Sequence, residues 1–187
     1  MDAVSAAIHE SALAVLDRLC AVIPDYPEEG IVFRDLTPVF ADGAGFRTVV
    51  EALIEPFRGG FDVVAGVEAR GFLLAAAAAY ASGTGVVAVR KAGKLPRETF
   101  SQDYALEYGS ATLEIHKNDL APGTRVLLLD DVLATGGTLA AAHALFERAG
   151  TQVTGIGVVL ELDGLPGRER LSAAGVDPES VHVLQKV

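Results

Sequence analysis

From Val126 to Thr138 the chain reads Val-Leu-Leu-Leu-Asp-Asp-Val-Leu-Ala-Thr-Gly-Gly-Thr, and this string carries the residues best placed to do chemistry. An apolar run of strand character leads into two adjacent carboxylates, Asp130 and Asp131. Held at the C-terminal end of a strand, such a pair accepts hydrogen bonds from two vicinal hydroxyls, the arrangement found on a ribose. The small residues that follow, Ala134, Thr135, Gly136, Gly137 and Thr138, let successive backbone N–H groups approach a phosphate. The threonine hydroxyls add donors, and the positive end of the next helix faces the same point. A cradle without lysine suits a monophosphate held by amides and differs from a Walker A loop, which carries Gly-Lys-[Ser/Thr]. Twin acids or a Thr-Gly-Gly-Thr turn alone are ordinary features of a capped turn. The whole string is far more specific.

A second feature is the basic cluster Arg90, Lys91, Lys94 and Arg97, four of the fifteen basic residues of the chain within eight positions. A charge run by itself is usually a solvated loop. In a chain of net charge −10, however, a polyanionic ligand requires the few cations to be concentrated locally or the backbone amides to do the work. The same acidic balance argues against broad nucleic-acid binding, which needs a basic face. The richest apolar stretch, from Phe72 to Tyr80, is mostly alanine and too short for a membrane span. Asp2, His9 and Glu10 surround the small apolar residues of the N-terminus, unlike a signal peptide. A lone Cys20 excludes an internal disulfide, and His9, His116, His143 and His182 are too scattered for a zinc site; no dedicated protein metal site is expected.

These residues need elements to position them. At 187 residues, half of them apolar, the chain reads as one globular domain. Helical spacing of Ile8, Ala12, Leu16 and Leu19 predicts a helix from about Ser5, which could cap it, to Cys20. Pro24, Pro27 and Gly30 mark a turn-rich segment, followed by an extended piece over 31–33, and Pro38 disfavours a helix there. A second helix is expected from Gly43 to Leu53 or Pro56. Strands are then expected over 61–67, 86–89, 125–129 and 153–160, and helices over 71–81 and 137–149, with 181–184 as an edge strand. The alanines at 75–79 suit a helix packed closely on a sheet. Alternating strands and helices indicate an α/β fold with a mainly parallel central sheet flanked by helices, and a ligand site at the strand C-terminal ends. The polar segment over about 91–120 interrupts the alternation and reads as a functional excursion.

The string at 126–138 resembles the phosphoribosyl diphosphate (PRPP) signature of type I phosphoribosyltransferases. Other segments narrow the resemblance to the adenine phosphoribosyltransferases. Gly66-Val67-Glu68-Ala69-Arg70-Gly71-Phe72 is similar to their pyrophosphate-loop region. Arg90-Lys91-Ala92-Gly93-Lys94-Leu95-Pro96 is similar to the start of their mobile lid, Tyr104-Ala105-Leu106-Glu107-Tyr108-Gly109 to its closing limb, and Pro27 to Pro38 to their base-binding hood. The likeness runs in order from about Ile23 to Leu171.

The resemblance implies a type I phosphoribosyltransferase fold in a single domain, 1–187, with an N-terminal helix and hood over about 1–40 and a lid loop and hairpin over about 91–120. It implies transfer of phosphoribosyl from PRPP to adenine, giving AMP and diphosphate. Asp130, Asp131 and Ala134 to Thr138 would hold the ribose and its phosphate. Glu68, Ala69, Arg70, Arg90, Lys91 and Lys94 would hold the diphosphate, with a non-proline cis peptide at Glu68-Ala69. Val32, Phe33, Arg34 and Val132 would bind adenine, the base lying between Phe33 and Val132. Glu107 would handle the purine proton, and Tyr104 and Tyr108 either exclude water or pack in the core. Mg²⁺ would be carried mainly by the diphosphate. A homodimer in the cytoplasm, serving purine salvage, is the expected setting. The helix after Phe72 reads Leu-Leu-Ala-Ala-Ala where relatives often carry a glycine, so its packing is expected to differ. Two rival readings are an enzyme for another purine or orotate, which Val32-Phe33-Arg34-Asp35 disfavours, and a PRPP-sensing regulator, which would need a DNA-binding domain.

Overall fold

The computed structural model describes residues 3–105 and 109–187, and their contacts separate into two compact units, 1–56 and 57–187. The first unit opens with helix α1, Ala3–Leu19, so Ser5 lies inside the helix instead of capping it. Strands β1 (Ala21–Pro24) and β2 (Val32–Asp35) pair antiparallel, with Ile23 opposite Phe33. No element is expected over 21–23, and the turn marked by Pro24, Pro27 and Gly30, which contains a cis Tyr26-Pro27 peptide, joins the two paired strands. Helix α2 spans Thr37–Ala41 with Pro38 in its first turn, contrary to the expectation from the proline. A proline there removes only an N–H that has no intrahelical acceptor. Asp42 caps α3 (Gly43–Ile54), its carboxylate accepting the Gly45 amide at 2.7 Å.

The second unit is built on a seven-stranded sheet. In chain order its strands are β3 (Val63–Val67), β4 (Gly85–Lys91), β5 (Thr99–Ala105), β6 (Ser110–His116), β7 (Arg125–Leu133), β8 (Gln152–Glu161) and β9 (Val181–Lys186). The spatial order is β5-β6-β4-β3-β7-β8-β9, with β3, β4, β7, β8 and β9 parallel. The hairpin β5–β6 adds antiparallel to β4, so much of the polar excursion extends the sheet. Helices α4 (Gly71–Ser82), α5 (Gly137–Arg148) and α6 (Gly167–Ala173) connect the parallel strands. α6 lies outside the expected helices because at seven residues it is too short to show a helical period.

Val126 to Leu129 are fully buried, as are Ile156 and Val158 beside them. Each buried aliphatic side chain contributes about 1.5–3 kcal/mol, which fixes the central strands and whatever follows them. On α4 the buried positions Gly71, Leu74, Ala75, Ala78 and Ala79 form one stripe. That stripe packs tightly, because a Cβ on Gly66 of β3 would overlap the Gly71 carbonyl and the Ala75 methyl. The alanine run is thus a close-packing surface, as its composition predicted.

Candidate active site

Chain order places the site. β3 connects through α4 to β4 on one side, whereas β7 connects through α5 to β8 on the other, so strand order reverses between β3 and β7. Ligands of open α/β sheets bind beyond the strand C-termini at such a point. The register makes the opening explicit. β3 pairs with β7 only as far as Gly66 opposite Leu129, whereas β7 stays paired with β8 as far as Leu133 opposite Glu161. Asp130 and Asp131 therefore lie within the strand, not after it. They occur where β7 has lost its β3 neighbour and kept its β8 neighbour.

Both acids are largely buried, at 9% and 7% exposure. Asp130 Oδ1 accepts the Asp131 amide at 2.9 Å. Burial, and then the adjacent Asp131 carboxylate, push Asp130 well above the usual carboxyl range. Arg70, from the loop after β3, sets its Nε 2.6 Å from Asp131 Oδ2. Gly71 allows this approach, since a Cβ there would lie 2.9 Å from the Leu129 carbonyl and 3.1 Å from Asp130 Oδ1. Val132, partly buried, follows on the same strand.

Ala134 to Thr138 lead from β7 into α5. Gly136 occupies the N-cap position with φ +77°, and no side chain caps the helix. The first-turn N–H groups of α5 are therefore not covered by a capping side chain, which suits an anion. Thr135 and Thr138 are partly exposed at the same end.

The Glu68-Ala69 peptide is cis, as the resemblance implies. The Glu68 carboxylate draws the basic cluster together: it accepts from Lys94 Nζ at 2.8 Å, the Lys91 amide at 3.0 Å and Arg90 Nε at 3.4 Å. Its hydrogen bond with Lys94 leads the effects that hold it at about 2. Arg90 lies over the Phe72 ring, 6.0 Å from its centroid. Arg97 turns away and pairs with Asp119 at 2.7 Å. The cluster thus divides, with Arg90, Lys91 and Lys94 at the loop after β3 and Arg97 outside it.

In the first unit, β2 carries Val32, Phe33 and Arg34. Val32 is 54% exposed, and Phe33 meets Tyr26 edge-on with 5.3 Å between ring centres. Tyr104 packs against the hydrophobic core of the second unit, which favours its packing role. Glu107 and Tyr108 lie outside the described residues. Two further residues carry little local signal: Glu114 accepts the Gly93 amide at 3.0 Å and ties the segment after β4 to β6, and Gly167, a glycine at the first position of α6, permits close backbone approach.

Comparison with known proteins agrees with this geometry. The family model described as phosphoribosyl transferase domain matches residues 43–177. The adenine phosphoribosyltransferase of Renibacterium salmoninarum is 69% identical over 163 residues, covering 87% of this chain and 90% of that one. The one from Salinispora arenicola is 53% identical over 182 residues, covering 95% and 94%. Among solved structures, the Rhodothermus marinus adenine phosphoribosyltransferase superposes with a TM-score of 0.85 at 45% identity, covering 95% of this chain and 99% of that one. The Saccharomyces cerevisiae enzyme, complexed with an imino-altritol bisphosphate and adenine, gives 0.85 at 39%, covering 94% and 99%. With the reversed strand order, the twin acids and the uncapped loop already in place, these similarities show that the chain belongs to the adenine phosphoribosyltransferase family.

Proposed function

We propose that this chain transfers the 5-phosphoribosyl group of PRPP to adenine, giving AMP and diphosphate. The observation that carries the reading is the opening beside β7, where Asp130 and Asp131 lie between the Arg70 loop and the uncapped start of α5. Asp130 and Asp131 hold the ribose hydroxyls, and the amides and hydroxyls of Ala134, Thr135, Gly136, Gly137 and Thr138 hold the 5′-phosphate. Glu68, Ala69 and Arg70 present the diphosphate end, with Arg90, Lys91 and Lys94. Because the Glu68 carboxylate is engaged by cations, it acts by holding Lys94 and Arg90, while main chain and Arg70 meet the leaving group. Val32, Phe33 and Arg34 of the hood read adenine, with Val132 as the apolar contact. Glu107 handles the purine proton.

As diphosphate leaves, positive charge develops at the anomeric carbon, and the protein aligns the reactants, neutralises the leaving group and excludes water. Among the described residues no three His, Cys, Asp or Glu side chains cluster to cage a metal, but the hard carboxylates of Asp130 and Asp131 fit Mg²⁺ that arrives with phosphate oxygens and waters. Asp130 and Asp131 would contact ribose hydroxyls or the waters of such an ion, which would supply charge neutralisation on the diphosphate. Residues 1–187 serve as a single phosphoribosyltransferase domain, working as a homodimer in the cytoplasm in purine salvage.

The test is a PRPP-dependent assay with adenine, guanine, hypoxanthine and orotate side by side. Turnover with adenine at least tenfold above the others is expected. Preference for a 6-oxopurine or orotate, or PRPP binding without turnover, would replace this reading with one of its rivals.

A further inference from the structure

The phosphate loop has no side-chain cap to shape it, yet it is gripped from behind. A Cβ on Gly136 would lie 2.5 Å from the Gly167 carbonyl oxygen, and a Cβ on Gly167 would lie 2.5 Å from the Ala134 carbonyl oxygen. Backbone thus meets backbone between the loop and the first turn of α6. With φ at +77°, Gly136 adopts a conformation other residues rarely take, and the neighbour it meets is main chain that cannot rotate aside.

What holds Gly167 there is a charge pair. Glu161, the last residue of β8 and only 8% exposed, takes the Arg168 Nε on both oxygens at 2.8 and 3.0 Å. The Leu162 amide donates to the Leu133 carbonyl at 3.0 Å, joining the same turn to the end of β7. On the far side Lys186 pairs with Asp163 at 2.8 Å, and the Asp163 amide donates to the Val187 carbonyl at 2.7 Å. The turn between β8 and α6 is therefore fixed to β7, β8 and β9 at once.

We infer that Gly167, seated by the Glu161–Arg168 pair, is a positioning residue for the phosphate: it sets the curve of the Ala134–Thr138 loop through main-chain contact. This rests on the reading that the loop holds the 5′-phosphate. In this role Gly167 and the pair act on the loop and not on the ligand. Their effect is to keep the loop amides converged, and a misplacement of about 1 Å in such an arrangement can cost ~100-fold.

The test compares AMP with adenosine, which lacks the phosphate, by calorimetric titration of the intact protein. Gly167→Ala is expected to reduce the preference for AMP about tenfold or more while adenosine affinity stays at the wild-type value. Glu161→Gln, which keeps the side-chain volume, moves the ratio in the same direction by a smaller factor and decides the matter if Gly167→Ala does not fold. Arg168→Lys retains more of the AMP preference than Arg168→Gln. A ratio unchanged in the folded Gly167→Ala variant, or equal losses for both ligands, overturns the inference. If the wild type itself does not prefer AMP, the phosphate reading falls first and the positioning role with it.

Discussion

Arg70 Nε lies 2.6 Å from Asp131 Oδ2, joining the loop after β3 to the strand that bears the twin acids across the point where strand order reverses. One guanidinium thus links the proposed diphosphate and ribose sites. Replacing it with glutamine should lower kcat/KM for PRPP by about 100-fold, the scale seen when one preorganised donor to developing charge is lost. KM for adenine should change little. Initial-rate kinetics with each substrate varied in turn check this, and a selective effect on adenine would count against the assignment.

Asp130 carries a carboxyl pushed upward by burial and by Asp131. A raised acid favours the protonated folded state, so its contribution is most favourable below the ordinary carboxyl value and is lost as pH rises toward the raised one. Asparagine keeps the acceptor for the Asp131 amide and never ionises. Asp130→Asn should therefore raise Tm relative to wild type at pH 7, with the gap closing as pH falls toward about 4. Thermal melts across pH check the sign. Combined with Asp131→Asn, it should abolish turnover while the fold persists.

Glu68 behaves in the opposite sense. Held at about 2, chiefly by its hydrogen bond with Lys94, it stays ionised through the working pH range. Its stabilising effect relative to Glu68→Gln should be fully present above about pH 4.5 and lost as pH falls through about 2. Acid titration of both proteins tests this. A difference that instead grows below pH 4 would contradict the ion-pair geometry.

Phe33 is the proposed platform for the base. Phe33→Ala should raise KM for adenine about tenfold or more, on the scale of ~1–3 kcal/mol for base–aromatic stacking, and leave KM for PRPP within about twofold. Phe33 is half-buried and meets Tyr26 edge-on, so an unchanged Tm is the control that makes the loss one of binding and not of folding. Equal changes in both KM values would remove Phe33 from the base site.

How much of this could be read from residue types alone differs by region. The apolar run at 126–129 and the small residues at 134–138 announce a buried strand and an amide cradle, because local composition decides both. The end of β7 at Leu133 is not legible, since it depends on β8 staying paired with β7 beyond the point where β3 stops. β1 and the proline-bearing α2 escaped for related reasons: a partner strand made one, and the harmless first-turn position of Pro38 allowed the other. Arg97 looked equivalent to Arg90 and Lys94 until Asp119 claimed it. Gly167 gave only a faint sign, because close approach of two backbones is a property of the packed chain.

The most direct test of the account is a crystal of the protein grown with AMP. The phosphoryl oxygens should lie within hydrogen-bonding distance of the main-chain amides of Ala134 to Thr138, with the ribose hydroxyls on Asp130 and Asp131. Phosphate density at any other place, or a ribose remote from both carboxylates, would contradict it.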